Sequence, residues 1–287
     1  MSPAVELIPT DASADAPLLA PFNEQTGFDV ADGSRRLFAL FGTPEKIRVG
    51  SAVLGRGELD LHISPEFRAA GLGAEAARRL LELAEPGPLS AWSHGDHPAA
   101  RALAARFGFT ATRTLLQLRL EPIPSTDGLS HASATHSAPS TQRPAELSTF
   151  SAGDDDAEWL ALNARVFAWH PEQGGMTQQD LDERMAEPWF AASDFLIARA
   201  DDGAMIGYNW LKVEGAEGEI YVVGVAPEAS GQGIGRALMA AGLARLRERG
   251  CTAATLYTEA DNVAAVRLYR SLGFVDEHVD VQYSRAG

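Results

Sequence analysis

The chain has 287 residues, of which 45% are hydrophobic and 22% charged, and its formal net charge is −15. This length suits two domains, and the composition is that of a globular protein. The negative charge repels phosphate groups, so we expect no nucleic-acid partner. The sequence has no run of about 18 apolar residues, so we also expect no membrane association.

The single cysteine, Cys251, excludes an intrachain disulfide. A chain without disulfides fits a reducing compartment, and the N-terminus lacks the basic and apolar regions of a signal peptide, so we expect a cytoplasmic protein. Cys251 precedes an apolar stretch and is expected to be a small buried residue. The sequence has no CxxC or HExxH motif and its seven histidines are scattered, so we expect no metal site.

The first half contains a short apolar strand over 59–63, followed by Pro65 and the segment ArgAlaAlaGlyLeuGly at 68–73. A helix rich in Ala, Arg and Leu is predicted over 74–83. A second, amphipathic helix within 97–109 ends at Gly108, a typical C-cap, and a strand over 112–120 follows.

Residues 121–146 are dominated by Pro, Ser, Thr and Ala. Such a segment buries too little apolar surface to offset the entropy of ordering it, so we interpret it as a linker. It predicts an N-terminal domain over 1–120 and a C-terminal domain over 147–287, both of ordinary domain size.

The second half repeats the pattern of the first. Strands are predicted over 195–200, 205–213 and 220–225, then Pro227, the segment SerGlyGlnGlyIleGly at 230–235, and a helix over 236–249. A short helix within 262–274 ends in Gly273-Phe274, and a strand over 278–283 closes the chain. Pro65, Gly71 and Gly73 match Pro227, Gly233 and Gly235 at one constant offset, which indicates a tandem duplication.

A strand that runs through a glycine-rich turn into a helix is a typical cradle for a phosphate group. Glycine lets the backbone come close to the ligand, and the free N–H groups of the helix start favour an anion. The G-x-G-x-x-G of a dinucleotide fold and the Gly-Lys-Ser/Thr of a P-loop are both missing. The remaining interpretations are a pyrophosphate loop of another kind or a ligand-free tight turn.

The pattern Q/R-x-x-G-x-G/A before a helix, followed later by Asn-x-x-Ala-x-x-x-Tyr and Gly-Phe, resembles the GNAT superfamily of N-acetyltransferases. The first half fits the turn pattern completely, whereas Ser230 replaces the leading Gln or Arg in the second half. The resemblance implies a mixed α/β fold of two tandem acyl-CoA N-acetyltransferase domains, each a mostly antiparallel central sheet flanked by helices. It also implies acetyl-CoA as cosubstrate.

Four further segments point to one family within this superfamily. They are HisProGluGlnGlyGly (170–175), GlyGluIleTyrValValGlyVal (218–225), LeuTyr (256–257) and AspAsnValAlaAlaValArgLeuTyr (261–269). Together they are similar to the mycothiol synthase family, which acetylates the cysteinyl amine of cysteinyl-glucosaminyl-inositol. We therefore expect that small molecule as partner, and a monomer. A tandem acetyltransferase for another amine and a non-catalytic acyl-CoA sensor are the alternatives.

Acetylation of an amine needs a base for the amine and a proton for the departing thiolate. The resemblance implies that Tyr269 is the acid and that Glu219, acting through water, is the base. A phenol, with its ordinary pKa of about 10, stays protonated at neutral pH. The residues that the resemblance implies for substrate binding are Glu24, Glu172, Lys212, Glu219 and Tyr257.

The resemblance also implies contacts with acetyl-CoA in both copies. In the C-terminal copy the residues are Val223, Gly224, Val225, Ser230, Gly231, Gln232, Gly233, Ile234, Gly235, Arg236, Asn262, Val263, Ala264, Ala265, Val266 and Arg267. In the N-terminal copy they are Leu61, His62, Ile63, Arg68, Gly71 and Gly73.

The N-terminal copy has Ala104 where the C-terminal copy has Tyr269, and His97 where it has Asn262. Alanine has no proton to donate, so we expect the chemistry in the C-terminal copy. The N-terminal copy then either binds acetyl-CoA without turnover or is a structural domain.

Overall fold

The computed structural model describes residues 4–11, 16–22, 24–124, 146–169 and 171–287. In chain order its first elements are β1 (Ala4–Thr10), α1 (Glu24–Ala31), β2 (Arg36–Thr43), β3 (Ile47–Gly55), β4 (Glu58–Ile63), α2 (Leu72–Leu83), β5 (Leu89–Ser93), α3 (Pro98–Phe107) and β6 (Thr110–Leu120). Its later elements are β7 (Glu146–Thr149), α4 (Asp156–Val166), α5 (Pro171–Gly174), α6 (Gln178–Met185), β8 (Phe195–Arg199), β9 (Met205–Glu214), β10 (Glu217–Val225), α7 (Ile234–Glu248), β11 (Ala253–Glu259), α8 (Val263–Ser271) and β12 (Val275–Arg285).

The chain forms two compact units. Unit 1 contains residues 1–115 and 278–287, and unit 2 contains residues 116–277. The sequence predicted divisions at 120 and 147, and most of the predicted linker, residues 125–145, lies outside the described residues. Ile123, near the start of the predicted linker over 121–146, is 7% exposed and packs into the core of unit 2.

Unit 1 is built on a mostly antiparallel sheet. Its strands follow the order β1-β2-β3-β4-β5 and then the end of β12; β4 and β5 run parallel, and the other described pairs run antiparallel. Helix α2 buries Ala76, Ala77 and Leu80 on one face, which is the spacing of an amphipathic helix. Ala76 and Leu80 pack with Val5, Phe38 and other strand residues to form the core of this unit.

Unit 2 has the same plan. The order is β6-β11-β10-β9-β8-β7, with β10 and β11 parallel and the pairs from β7 to β10 antiparallel. Helix α4 carries Trp159 into a fully buried aromatic cluster with Phe195, Tyr208 and Trp210. Each ring removes a large apolar area from water, so this cluster is a main source of hydrophobic stability.

The closing strands of the two halves are exchanged between the units. The end of β12 pairs with β5 in unit 1, from Val281↔Ser93 to Arg285↔Leu89. Residues 116–120 of β6 belong to unit 2, where β6 lies beside β11. The predicted strands over 112–120 and 278–283 are confirmed as strands. However, neither half of the sequence supplies the strand that closes its own sheet.

Candidate active site

Strand β10 has a free edge at the point where it leaves β11. The two strands pair from Glu217↔Ala253 to Ile220↔Leu256, whereas β10 continues beside β9 as far as Val225. A β-bulge between Ile220 and Val222 interrupts the register at the point of departure. The strand edge beyond the bulge offers backbone N–H and C=O groups, and an extended ligand satisfies such groups as another strand would. Three predicted cofactor-binding residues lie there: Val223, Gly224 and Val225.

The glycine turn of unit 2 follows directly and leads into α7. Gly231 and Gly233 have φ values of 76° and 84°, a left-handed conformation that glycine adopts without strain. Gly233 is the N-cap of α7 and Ile234 its first residue, so the free N–H groups of the helix start face out of this turn. Around it lie Ser230, Gln232, Gly235 and Arg236, and the Arg236 guanidinium donates to the Ser271 hydroxyl (2.7 Å).

Helix α8 supplies the candidate acid. The Asn262 side chain caps this helix by accepting a hydrogen bond from the Ala265 N–H (3.2 Å), which fixes where the helix begins. Tyr269 is 6% exposed and packs in one cluster with Phe274, Ala265 and the β10 residue Val223. Burial raises the pKa of Tyr269 to about 12, so the phenol keeps its proton at neutral pH. The other predicted residues of this segment, Val263, Ala264, Val266 and Arg267, lie on the same helix.

The structure brings Glu219 and Lys212 together on neighbouring strands. Glu219 of β10 is the direct cross-strand partner of Lys212 of β9. Burial raises the pKa of the Glu219 carboxyl, while the Lys212 charge opposes that shift and Glu214 adds to it. The Lys212 ammonium is 3.0 Å from a Glu214 carboxylate oxygen and 5.6 Å from the centroid of the Trp189 ring. A carboxyl with a raised pKa is a better proton acceptor than an exposed one, because its basicity is closer to that of the amine.

The other three predicted substrate-binding residues lie on three different elements. Tyr257 of β11 is 49% exposed. Glu24 belongs to α1 and Glu172 to α5, and their side chains lie outside the described part of the structure. The substrate contacts of all three stay predictions.

Two aromatic residues beside Lys212 were missed by the sequence analysis. The ring centroids of Trp189 and Tyr221 are 5.0 Å apart, and the pKa of Tyr221 is raised, chiefly by burial, while its hydrogen bond with Arg184 lowers it. Tyr221 occupies the bulge of β10 and is half-buried between the buried residues Ile220 and Val222. Because buried and half-buried residues alternate through the bulge, the sequence pattern gives no signal of its position.

Unit 1 repeats the turn geometry. Gly71 has a φ of 80° and is the N-cap of α2, and Ala69 has a φ of 61° at the position that matches Gly231. The Arg68 guanidinium donates to the Ile63 carbonyl (2.9 Å). Burial lowers the pKa of His62, and the Arg68 charge lowers it further. Leu61, His62 and Ile63 end β4, and Gly73 lies in the first turn of α2.

Two further observations concern the described residues. They contain no cluster of three or more His, Cys, Asp or Glu side chains suited to a metal ion, and none of their helices is long and apolar enough to cross a membrane. Cys251 is 5% exposed, which confirms the predicted burial, and desolvation raises the pKa of its thiol.

Comparisons with known proteins show what the chain is similar to. Residues 163–274 match the acetyltransferase (GNAT) family. A mycothiol acetyltransferase from Clavibacter sepedonicus is 46% identical over 93% of this chain and 87% of its own length.

Solved structures show the same fold over nearly the whole chain. A GCN5-related N-acetyltransferase from Sphaerobacter thermophilus aligns with a TM-score of 0.67 and 19% identity, covering 98% of this chain and 95% of that one. A tandem GNAT protein from the clavulanic acid biosynthesis pathway aligns with a TM-score of 0.62 and 16% identity, covering 98% of both chains. The predicted mixed α/β fold with tandem acetyltransferase domains is thereby confirmed.

Proposed function

The chain belongs to the mycothiol acetyltransferase family, and from this premise we propose how its residues carry out acetyl transfer from acetyl-CoA to a small-molecule amine. The amine is the cysteinyl amine of cysteinyl-glucosaminyl-inositol, and the product is mycothiol. The observation that carries the proposal is the arrangement of unit 2. There a half-buried carboxylate, a free strand edge and a buried phenol follow one another along β10 and α8.

The residues present fit acetyl-CoA. The free N–H groups at the start of α7 suit its pyrophosphate, and the edge of β10 at Val223, Gly224 and Val225 suits its amide-containing arm. When bound, acetyl-CoA supplies an activated acetyl group as a thioester. Arg236, which is held by Ser271, adds a positive charge beside the turn.

Two side chains move the protons. Glu219 accepts a proton from the substrate ammonium through water, so that the amine becomes nucleophilic. Tyr269 donates its phenolic proton to the departing sulfur as the carbon–nitrogen bond forms and the carbon–sulfur bond breaks. The second proton that the nitrogen loses on becoming an amide passes through water to the phenolate and restores the phenol. The acid is already protonated because its pKa is raised to about 12.

Lys212, Tyr257, Glu172 and Glu24 bind the sugar–inositol conjugate in this proposal. Lys212 is the best supported of them, because it is the cross-strand partner of Glu219. The predicted monomer and cytoplasmic location belong to the same proposal.

The test is mass spectrometry of the full chain incubated with acetyl-CoA and the cysteinyl-glucosaminyl-inositol amine. We expect a product heavier by one acetyl group, and a Glu219→Gln variant whose kcat/KM is lower by about 10²–10⁴. The matched control is Glu217→Gln, since Glu217 lies two residues earlier on β10, is exposed and pairs with Arg119. Full activity of Glu219→Gln would remove Glu219 from the mechanism, and no acetylated product would remove this amine as the substrate.

A further inference from the structure

Unit 1 contains an apolar cavity of about 100 Å³. It opens where two parallel strands separate, because β4 and β5 pair only at Glu58↔Ser90 and both contribute wall residues beyond that pair. Helices α2 and α3, Phe109 and Tyr283 of β12 complete the wall. Residues that represent the two strands and the two helices are Leu59, Leu61, Trp92, Leu81, Ala104 and Phe107.

The cavity lies beside Ala104, which stands where unit 2 has an aromatic residue. Ala104 of α3 matches Tyr269 of α8, and Phe109 matches Phe274, at one offset in the sequence. In unit 2 the rings of Tyr269 and Phe274 pack edge to face with centroids 6.1 Å apart. In unit 1 Phe109 lines the cavity beside Ala104. The alanine therefore removes the acid and also leaves apolar space at the corresponding place.

The cavity adjoins the glycine turn of unit 1. A Cβ atom added to Gly73 would lie 3.8 Å from Leu103 Cδ1 and 3.6 Å from Ile63 Cγ1, and Leu103 is part of the cavity wall. Gly71 holds the same left-handed conformation as Gly233. A ligand with its phosphates on this turn and its other end between the separated strands would place that end in the cavity.

We propose that unit 1 binds acyl-CoA thioesters whose linear acyl chain is longer than acetyl, with the chain in the Ala104 cavity. This rests on the proposed use of the glycine turns for CoA. An engineered cavity of about 150 Å³ lined by apolar side chains admits benzene, so a cavity of about 100 Å³ holds a chain of a few carbons. An acetyl group leaves most of this apolar space unfilled.

The test is isothermal titration of the full chain with acetyl-CoA, butanoyl-CoA and hexanoyl-CoA, without amine, so that no transfer occurs. We expect the affinity of one site to rise about fourfold for each buried methylene, until the cavity is full. The Ala104→Tyr variant restores the side chain of unit 2 at this position and is expected to abolish the dependence on chain length. The matched control is Ala105→Tyr on the exposed face of α3, which is expected to retain it.

Thermal unfolding shows whether Ala104→Tyr folds. If it does not, Ala104→Val adds two methyl groups to the cavity and is expected to shorten the longest chain that still gains affinity. A flat series in the wild-type chain would overturn the proposal, and so would a dependence on chain length that survives in Ala104→Tyr or Ala104→Val.

Acetyl transfer to the amine is measured on the same samples. Loss of transfer with an intact chain-length series contradicts only the proposed function, and intact transfer with a flat series contradicts only this inference.

Discussion

At the scale of single residues, the protonation of Glu219 depends on the charges around it. Its carboxyl is largely withdrawn from water, which favours the neutral form, and the Glu214 charge favours it further. Lys212, directly across the strand pair, favours the ionised form. Burial dominates, so the pKa of Glu219 lies above its ordinary value of 4.5. In the proposed mechanism the raised pKa of Glu219 sets the lower pH limit of catalysis.

The pH profile of kcat/KM tests this balance. The base acts only when ionised, so the rate falls as pH falls through the raised pKa of Glu219, and the acid limb lies above pH 4.5. Lys212→Met removes the opposing charge and is expected to move the limb to higher pH. Glu214→Gln removes a like charge and is expected to move it to lower pH. An acid limb that stays in place in both variants would show that another group titrates.

The Tyr269→Phe variant tests the proposed role of Tyr269 as the acid. Tyr269→Phe removes only the hydroxyl and keeps the ring that packs against Phe274. We expect kcat to fall by about 10²–10⁴, while the KM for acetyl-CoA changes little. Steady-state kinetics measure both quantities.

The control for Tyr269 is Tyr208→Phe. Tyr208 is fully buried and donates to Asn163 Oδ1 of α4 (2.8 Å). Its loss is expected to reduce the free energy of unfolding by about 1 kcal/mol without a fall in kcat. Equal falls in kcat for the two variants would contradict the special role of Tyr269.

At the scale of elements, the turn before α7 combines a backbone requirement with a binding role. An added Cβ at Gly233 has no atom within 4 Å, and its φ is +84°. Gly233→Ala therefore introduces strain of about 1–2 kcal/mol without a clash. We expect the turn to shift and the KM for acetyl-CoA to rise about tenfold, the equivalent of 1.4 kcal/mol.

Gly250→Ala is the matched control for the turn. Gly250 also has a left-handed φ of +86° with no atom within 4 Å of an added Cβ, but it lies after the far end of α7. It is expected to cost similar stability with an unchanged KM. A rise in KM in this variant as well would mean that the effect comes from general destabilisation.

The elements also show which features of the fold could be predicted from the sequence. The matched spacing of Gly71 and Gly233 indicated a tandem duplication, and the two residues have similar φ values of 80° and 84°. The exchange of β6 and β12 between the units was not predictable, because a strand's own pattern of apolar residues does not identify its partner. The position of Tyr221 was not predictable for a related reason, since a bulge shifts a strand's pairing with its neighbour without a sequence motif of its own.

At the scale of the whole molecule, each unit has its own buried charge network. In unit 1 the Arg35 side chain is 2% exposed and its guanidinium is 2.7 Å from Asp60 and 3.2 Å from Glu58. In unit 2 Asp194 is fully buried and accepts from Arg245 (2.7 Å) and from Arg249. Removal of one partner from such a network leaves a buried charge uncompensated.

We therefore expect Arg35→Leu to destabilise unit 1 by about 3–5 kcal/mol. Arg245 and Arg249 are 26% and 34% exposed, so Asp194→Asn leaves them in contact with water and is expected to destabilise unit 2 by about 1–3 kcal/mol. Hydrogen exchange of the backbone amides, read separately for the two units, measures the effect. The control is Arg78→Gln, because Arg78 pairs with Glu75 and Glu82 on the exposed face of α2 and such a pair contributes about 0–1 kcal/mol. If either core variant lowered the protection of both units equally, the units would unfold as one and this prediction would be wrong.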